Sequence, residues 1–371
     1  MNDTRRFSYF LFENFDAAAA AGNPMAPRSI LNPSADGVLA WMADTPPLSR
    51  TRTAACDLFS EETVDRLMHA GALREEQGTL FYDTPIFLSG DAEPLAAFCR
   101  DAAAGLADRV STVGTELFRL TDALKNDFSP EINLYHIVCG MCFDGLFLEK
   151  LSELGVLANS RMHDSGLDYL SVIYEKCPEL DGFSGKLLCS WNRIADETCA
   201  LQSFGDADGD RLDCYRYFRL RQRGDLPAAF AEVHRYAREL SESDLLNAVR
   251  SAAQGMPADP KAIGALEAFG YLKKGRPCVP VFGKQQLETI LKIETLLEDA
   301  LLEPVRKLLS DLHRLDITAV RHGVAAEEIA NECWHVLFGR INGLLADRGL
   351  VAQPPFRSGE GRYLRSIELD I

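Results

Sequence analysis

VDRLMHAGAL, residues 64–73, recurs as IGALEAFGYL, residues 263–272, at an offset of 199. The two stretches align Val64 with Ile263, Leu67 with Leu266, Gly71 with Gly270 and Leu73 with Leu272. In both, apolar residues at helical spacing stop at a glycine, which suits the left-handed position just past a helix because it has no Cβ to clash there. A polar turn then leads to Pro85-Ile86-Phe87 in the first copy and Pro280-Val281-Phe282 in the second. Repetition at so long a period bears on the fold of the whole chain.

A second match supports it. Residues 143–173 align without gaps onto 337–367 at an offset of 194, with Gly145, Leu151, Gly155, Ala158, Tyr169, Leu170 and Ile173 facing identical residues. Each copy reads as an amphipathic helix ending at glycine, then two short strands around His163-Asp164-Ser165-Gly166 or Arg357-Ser358-Gly359-Glu360-Gly361. Between the two motifs each half carries a long helical stripe. Leu95, Phe98, Ala102, Leu106, Val110, Val113, Leu117, Leu120 and Leu124 form one; Leu287, Ile290, Leu297, Leu301, Val305, Leu308 and Leu312 form the other. Pro304 should kink the second helix or restart it, since it lacks a backbone donor.

These patterns predict a mainly α protein with small β-hairpins, an α+β tandem duplication of helix-and-hairpin units joined by long helices. The first repeat spans 1–176 and the second 226–371. Residues 177–225 fit neither and read as a connector with some helix, holding the acidic turn Asp206–Asp210 and an Arg-rich aromatic stretch, Arg211–Arg223.

A helix ending in Gly-x-Leu, a polar turn and a strand with Pro-x-Phe together resemble the recognition helix and wing of winged-helix proteins. In the second half, Leu245–Gly255, a turn with Pro257 and Pro260, and Lys261–Leu272 stand as helix, turn and recognition helix, with Lys273-Lys274-Gly275-Arg276 as wing tip. In the first half, Asp36–Ala43 and Ser60–Gly71 correspond, Ser60 being suited to cap the second helix. The resemblance implies a DNA-binding regulator with a helix in the major groove and the wing on the backbone. The first recognition helix departs from that pattern with Glu61, Glu62 and Asp65 against Arg66 and His69, and the first wing, Arg74-Glu75-Glu76-Gln77-Gly78, is acidic.

Charge points the same way. The net charge of −16 disfavours indiscriminate binding of polyanions. Residues 1–200 hold 16 Lys and Arg against 30 Asp and Glu, whereas residues 201–371 hold 23 against 25. Any DNA contact is therefore expected from the second half, through Lys273, Lys274 and Arg276 on one turn and Arg357, Arg362 and Arg365 around the last hairpin. The same charges can simply solvate turn tips, and the alternative function is a non-catalytic protein–protein interaction or scaffold protein gripping its partner with the same units.

With 371 residues, 47% of them hydrophobic, the chain can build two ordinary cores. It has no phosphate-cradling glycine loop, HExxH pair or Gly-x-Ser-x-Gly elbow, so no enzyme activity and no cofactor is expected. Cys139 and Cys142 are three apart and surrounded by apolar residues, which reads as packing on one helix face rather than a metal site. His136 and His335 read as structural histidines at helix starts; Ser160, Arg161, His163, Ser165 and Asp168 crowd one hairpin as a small polar cluster. No apolar run is long enough to span a membrane and the first residues lack a signal-peptide core, so a cytoplasmic protein is expected, with its oligomeric state open.

Overall fold

The computed structural model describes residues 5–15, 20 and 23–369. About 54% of the chain is helix and 17% strand in small sheets, so the fold is mainly helical α+β. Along the chain, β1 (Phe7–Glu13) precedes helices α1 (Asp36–Asp44), α2 (Arg52–Phe59) and α3 (Glu61–His69). Then come the hairpin β2 (Leu73–Glu76) and β3 (Thr79–Tyr82), and strand β4 (Ile86–Phe87). Helices α4 (Ala92–Thr112), α5 (Gly114–Thr121) and α6 (Pro130–Leu134) follow, the last running into a π-helix over Tyr135–Leu146 and then α7 (Phe147–Glu153). Strands β5 (Arg161–Met162), β6 (Asp168–Glu175), β7 (Leu188–Ala195) and β8 (Cys199–Asp206) lead to α8 (Cys214–Arg223), α9 (Ala231–Ala237), α10 (Glu242–Ala253) and α11 (Pro260–Phe269). The chain ends with β9 (Leu272–Lys273), β10 (Arg276–Pro277), β11 (Val281–Gly283), α12 (Lys284–Ser310), α13 (Thr318–Arg321), α14 (Ala326–Asp347), β12 (Phe356–Arg357) and β13 (Gly361–Leu369).

Two compact units form, each from three stretches of chain. The first takes residues up to Ala102, Leu148–Phe183 and Val305–His335; the second takes Ala103–Phe147, Ser184–Pro304 and residues from Val336 on. The expected boundaries at 176 and 225 therefore do not separate them. Four of the five dividing points fall inside helices α4, α7, α12 and α14, where helical periodicity continues unbroken and marks no boundary. Pro304 lies within α12 without ending it.

Each unit holds a sheet of matching design. In the first, β6 pairs antiparallel with β1 and parallel with β4, placing Ile86 opposite Ile173. In the second, β13 pairs antiparallel with β8 and parallel with β11, placing Val281 opposite Ile367. The backbone N–H of Ile173 donates to Pro85 and that of Ile367 to Pro280, both at 2.9 Å. The hairpins share their register too: Met162 faces Asp168 as Phe356 faces Arg362. Strand β8, inside the expected connector, thus occupies the place of β1, which corrects that reading; β7 is added outside it. The turn between them is closed by Asp196, which accepts from the N–H groups of Thr198 and Cys199.

The helix ends repeat as well. Gly71 and Gly270 are left-handed, and the next residues donate back to Leu67 and Leu266 at 2.9 Å, the bond pattern that closes a glycine-terminated helix. Ser60 caps α3, accepting from the N–H of Thr63 at 3.3 Å. Val64, Leu67, Leu73, Ile86 and Ile173 lie in one core, and Leu266, Leu272 and Ile367 in the other. The first long stripe breaks at Val113, between α4 and α5, and its buried face runs through Leu95, Cys99, Ala103, Leu106 and Val110. In α12, Leu287 is exposed and the buried face runs through Ile290, Ile293, Leu297, Leu301 and Val305.

Candidate nucleic-acid interface

In the second unit, Asp259 caps α11 by accepting from the N–H of Lys261, and Pro260 occupies the first turn where its missing donor costs nothing. Past Gly270 the chain makes a two-residue hairpin between β9 and β10, with Lys274 at φ 52 and Gly275 at φ 71. Positive φ at both turn positions matches the twist of the strands, and glycine at the second is suited to it. The N–H of Gly275 donates to Glu267 at 2.8 Å, anchoring the turn to α11. Lys273, Lys274 and Arg276 are exposed on this tip, and none has a carboxylate partner among the described residues.

Helix α11 itself offers little to a base edge. Lys261 is paired with Glu239 at 2.9 Å, and Glu267 holds the turn. Gly264 is covered by Tyr236, whose ring would lie 2.8 Å from an added Cβ.

The residues around the last hairpin divide. Arg362 is neutralised by Asp206, donating from Nε at 3.1 Å and Nη2 at 2.8 Å, and also donates to the Lys186 carbonyl. Arg365 donates to the Leu212 carbonyl and the Tyr363 hydroxyl at 2.9 Å each. Arg357 lies over Tyr363 with 4.5 Å from its guanidinium carbon to the ring centre, and Arg365 lies 4.7 Å from the same centre. Arg357 and Arg365 keep a charge without a carboxylate partner among the described residues, but both are pinned to the fold.

The matching turn of the first unit has the same backbone, with Gln77 at φ 51 and Gly78 at φ 83, and an opposite surface. Glu75 and Glu76 are exposed there, while Arg74 is drawn inward, donating to the carbonyls of Tyr82 at 2.7 Å and His322 at 2.6 Å. The Tyr82 N–H donates to His322 Nδ1 at 3.0 Å; burial, aided by Arg50, Arg74 and Arg321, lowers this imidazole to about 3.

Within the first unit the polar hairpin cluster is a clamp. Arg161 donates to the carbonyls of Gly71 and Asp83 and pairs with Glu328 at 2.9 Å. Burial raises Glu328 to about 7 against the attraction of Arg161. His163 stacks on Tyr169 at 3.8 Å, the same contact that Arg357 makes with Tyr363, and burial lowers it to about 4. Ser165 accepts from the N–H of Leu167, and Asp168 from Asn14.

In the second unit, Cys139 and Cys142 are buried in the π-helix, where burial raises both thiols. His136 is buried, lowered to about 3, and its Nε2 has no hydrogen-bond partner among the described residues. His335, in the first unit, donates from Nδ1 to Asn331 and lies against Phe12. The acidic turn is held by Arg216, which donates to the carbonyls of Asp206, Ala207 and Gly209. Among the described residues no group of three or more His, Cys, Asp or Glu could hold a metal ion, and no helix is long and apolar enough to cross a membrane.

Sequence reading missed one buried site. Asp213 Oδ2 accepts from Arg211 at 2.9 Å, Asn192 at 2.9 Å and Ser203 at 3.0 Å, while Oδ1 accepts from the N–H of Arg216 and caps α8. Only the pairing of β7 with β8 brings Asn192 and Ser203 together there, so local spacing carried no trace of it. No family model, curated protein or solved structure matches the chain.

Proposed function

We propose that the chain is a cytoplasmic DNA-binding regulator with paired winged-helix units, in which the second unit holds the duplex by its phosphates. The observation that supports this is the wing tip: three exposed cations on a hairpin turn anchored by the Gly275 N–H on Glu267, with no ion-pair partner among the described residues. Arg357 and Arg365 add pinned positive charge in the same unit. Contact is chiefly to the backbone, because the free face of α11 carries a paired lysine and a glutamate. Phosphate contacts position a protein without reading sequence.

Fluorescence anisotropy with mixed-sequence duplex at low and moderate salt tests it. Wild type should bind, and Lys273→Ala/Lys274→Ala/Arg276→Ala should bind more weakly with a salt slope smaller by roughly three units. No binding by wild type at low salt would exclude the reading. The alternative, a protein–protein interaction module, is favoured by the acidic face of the first unit, where Glu61, Glu62, Asp65, Glu75 and Glu76 are exposed and would repel a phosphate backbone.

A further inference from the structure

We infer that Arg50 and His322 of the first unit form a binding site for a phosphate-class oxyanion, held between the guanidinium group and the imidazole Nε2–H. The inference is independent of the DNA-binding reading. Its starting point is a proton count. The Tyr82 N–H donates to His322 Nδ1 at 3.0 Å, so that nitrogen is the acceptor and the single proton of the neutral ring sits on Nε2. Nε2 in turn lies 2.8 Å from Arg50 Nη1, a guanidinium nitrogen that can only donate. Turning the ring over would set carbon atoms against both donors, so the ring orientation is fixed. Two donors therefore face each other. An oxygen that accepts from both, with a small outward movement of Arg50, converts this repulsion into two charge-assisted hydrogen bonds.

Local charge selects an anion. Arg50 has no carboxylate partner among the described residues, and its Nε donates to the Thr45 carbonyl at 2.7 Å. Burial and the charge of Arg321 act against its charged form. Arg74 donates to the His322 carbonyl at 2.6 Å, bringing a further guanidinium group to the same residue. The nearby carboxylates are already engaged, Glu76 and Asp83 by Arg74, and Asp91 and Asp316 by Arg321. A phosphate dianion offsets such a surplus better than a carboxylate, and its tetrahedral oxygens accept from a guanidinium and an N–H together. Arg50 is half-buried and follows the exposed residues 46–49, so the site is reachable from water. The second unit shows what a purely structural residue does at the equivalent place. Counting back equally from Glu131 and Glu327, Asn126 stands where His322 does. Asn126 donates to Asn133 at 2.8 Å and accepts from it at 2.9 Å, so no donor faces a donor there.

The test uses full-length protein isotopically labelled at the histidine nitrogens, with inorganic phosphate as the probe at constant ionic strength. Titration should shift the nitrogen resonance of one imidazole in its Nε2–H form, with a calorimetric midpoint at the same phosphate concentration. His322→Gln should delete that resonance and so assign it. Arg50→Gln should keep the resonance, which reports an intact fold, and weaken phosphate binding roughly tenfold, the scale of one charge-assisted hydrogen bond. Arg119→Gln, which removes an exposed charge in the other unit, should leave the affinity at the wild-type value. A parallel titration with phenyl phosphate separates the sources: equal affinity makes the phosphoryl group of a larger molecule sufficient, and binding of inorganic phosphate alone marks the free ion. The proposal is overturned if phosphate shifts no imidazole, if sodium chloride alone produces the same shift, or if Arg50→Gln binds phosphate as tightly as wild type.

Discussion

The backbone N–H of Ala352 donates to the carbonyl oxygen of Glu131 at 2.9 Å, across 221 residues of chain. In the first unit Ala158 makes the same bond, at the same length, to Glu327. Each unit thus closes its helix–hairpin junction on the start of a helix supplied by the other half of the sequence.

Fragments cut between Phe183 and Ser184 should therefore not fold alone. The first would lack Thr318 and Arg321, which donate to buried Asp91, and Glu332, which accepts from Tyr174 at 2.6 Å. Separately expressed, 1–183 and 184–371 should be aggregated or unfolded by circular dichroism; co-expressed, they should elute together with native helicity. Independent cooperative unfolding of either fragment would contradict this.

Gly205 sits where β8 crosses β13, and an added Cβ would lie 2.1 Å from the Arg362 carbonyl oxygen and 2.5 Å from Tyr363 Cβ. Both obstacles belong to the sheet itself, so neither can swing aside. Gly205→Ala should lose about 3 kcal/mol in urea denaturation, the upper part of the overpacking range. Gly275→Ala, with open space around it but φ 71, should lose only about 1 kcal/mol.

Glu328 sets a pH dependence of definite sign. Its folded value of about 7 lies above the ordinary 4.5, so the native state holds a proton that the unfolded chain has released. Stability from this group is full below 4.5 and declines as pH rises to 7, by about 3 kcal/mol in all. Glu328→Gln keeps the neutral form, so its unfolding free energy should exceed that of wild type increasingly between pH 4.5 and 8. His136, His163 and His322, lowered to about 3, 4 and 3, act in the other direction, removing stability from both proteins as pH falls below 6.5. A difference between the two proteins that stays flat with pH would refute the assignment to Glu328.

Much of each unit was legible because its determinants are local. Gly71 and Gly270 mark helix ends, Ser60 marks a start, and the equivalence of Ile86 with Val281 and of Ile173 with Ile367 follows from one offset each. The exchange of segments was not legible, since Ala102 and Ala103 are successive residues of one uninterrupted helix. The two histidines stand at different places in their helices. Glu131 and Gly145 are 14 residues apart, whereas their counterparts Glu327 and Gly339 are 12 apart, and the wider turns of the π-helix over Tyr135–Leu146 take up the difference. His136 and His335 are therefore not equivalents. Of the six candidate phosphate contacts, three are exposed on the β9–β10 hairpin, while the roles of Arg362 and Arg365 depend on distant Asp206 and Leu212, which sequence spacing does not reveal.

Asp213 is the acceptor that Arg211 needs, both being almost wholly buried. Asp213→Ala leaves the guanidinium without its carboxylate and removes the cap of α8, so a loss of about 3–5 kcal/mol is expected. Arg211→Met should cost less, because Asn192, Ser203 and the Arg216 N–H still serve the carboxylate. Equal losses in urea denaturation would show that the arginine, rather than the aspartate, organises the site.

Arg74 and Arg276 sit on the equivalent hairpins β2–β3 and β9–β10 and should behave oppositely. Arg74 donates to two carbonyls and to Glu76, so its charge is spent inside the first unit. Arg74→Ala should lower stability by about 2 kcal/mol, the scale of charge-assisted hydrogen bonds, and leave DNA affinity unchanged. Arg276 is exposed and holds no internal partner among the described residues, so Arg276→Ala should leave the unfolding transition within about 0.5 kcal/mol of wild type. It should also reduce the salt slope of duplex binding by roughly one unit. The two measurements on the two variants form a crossed comparison, because a general loss of folding would move both readings together. Reduced affinity in Arg74→Ala with full stability would place phosphate contacts on the first wing and require its acidic surface to be reconsidered.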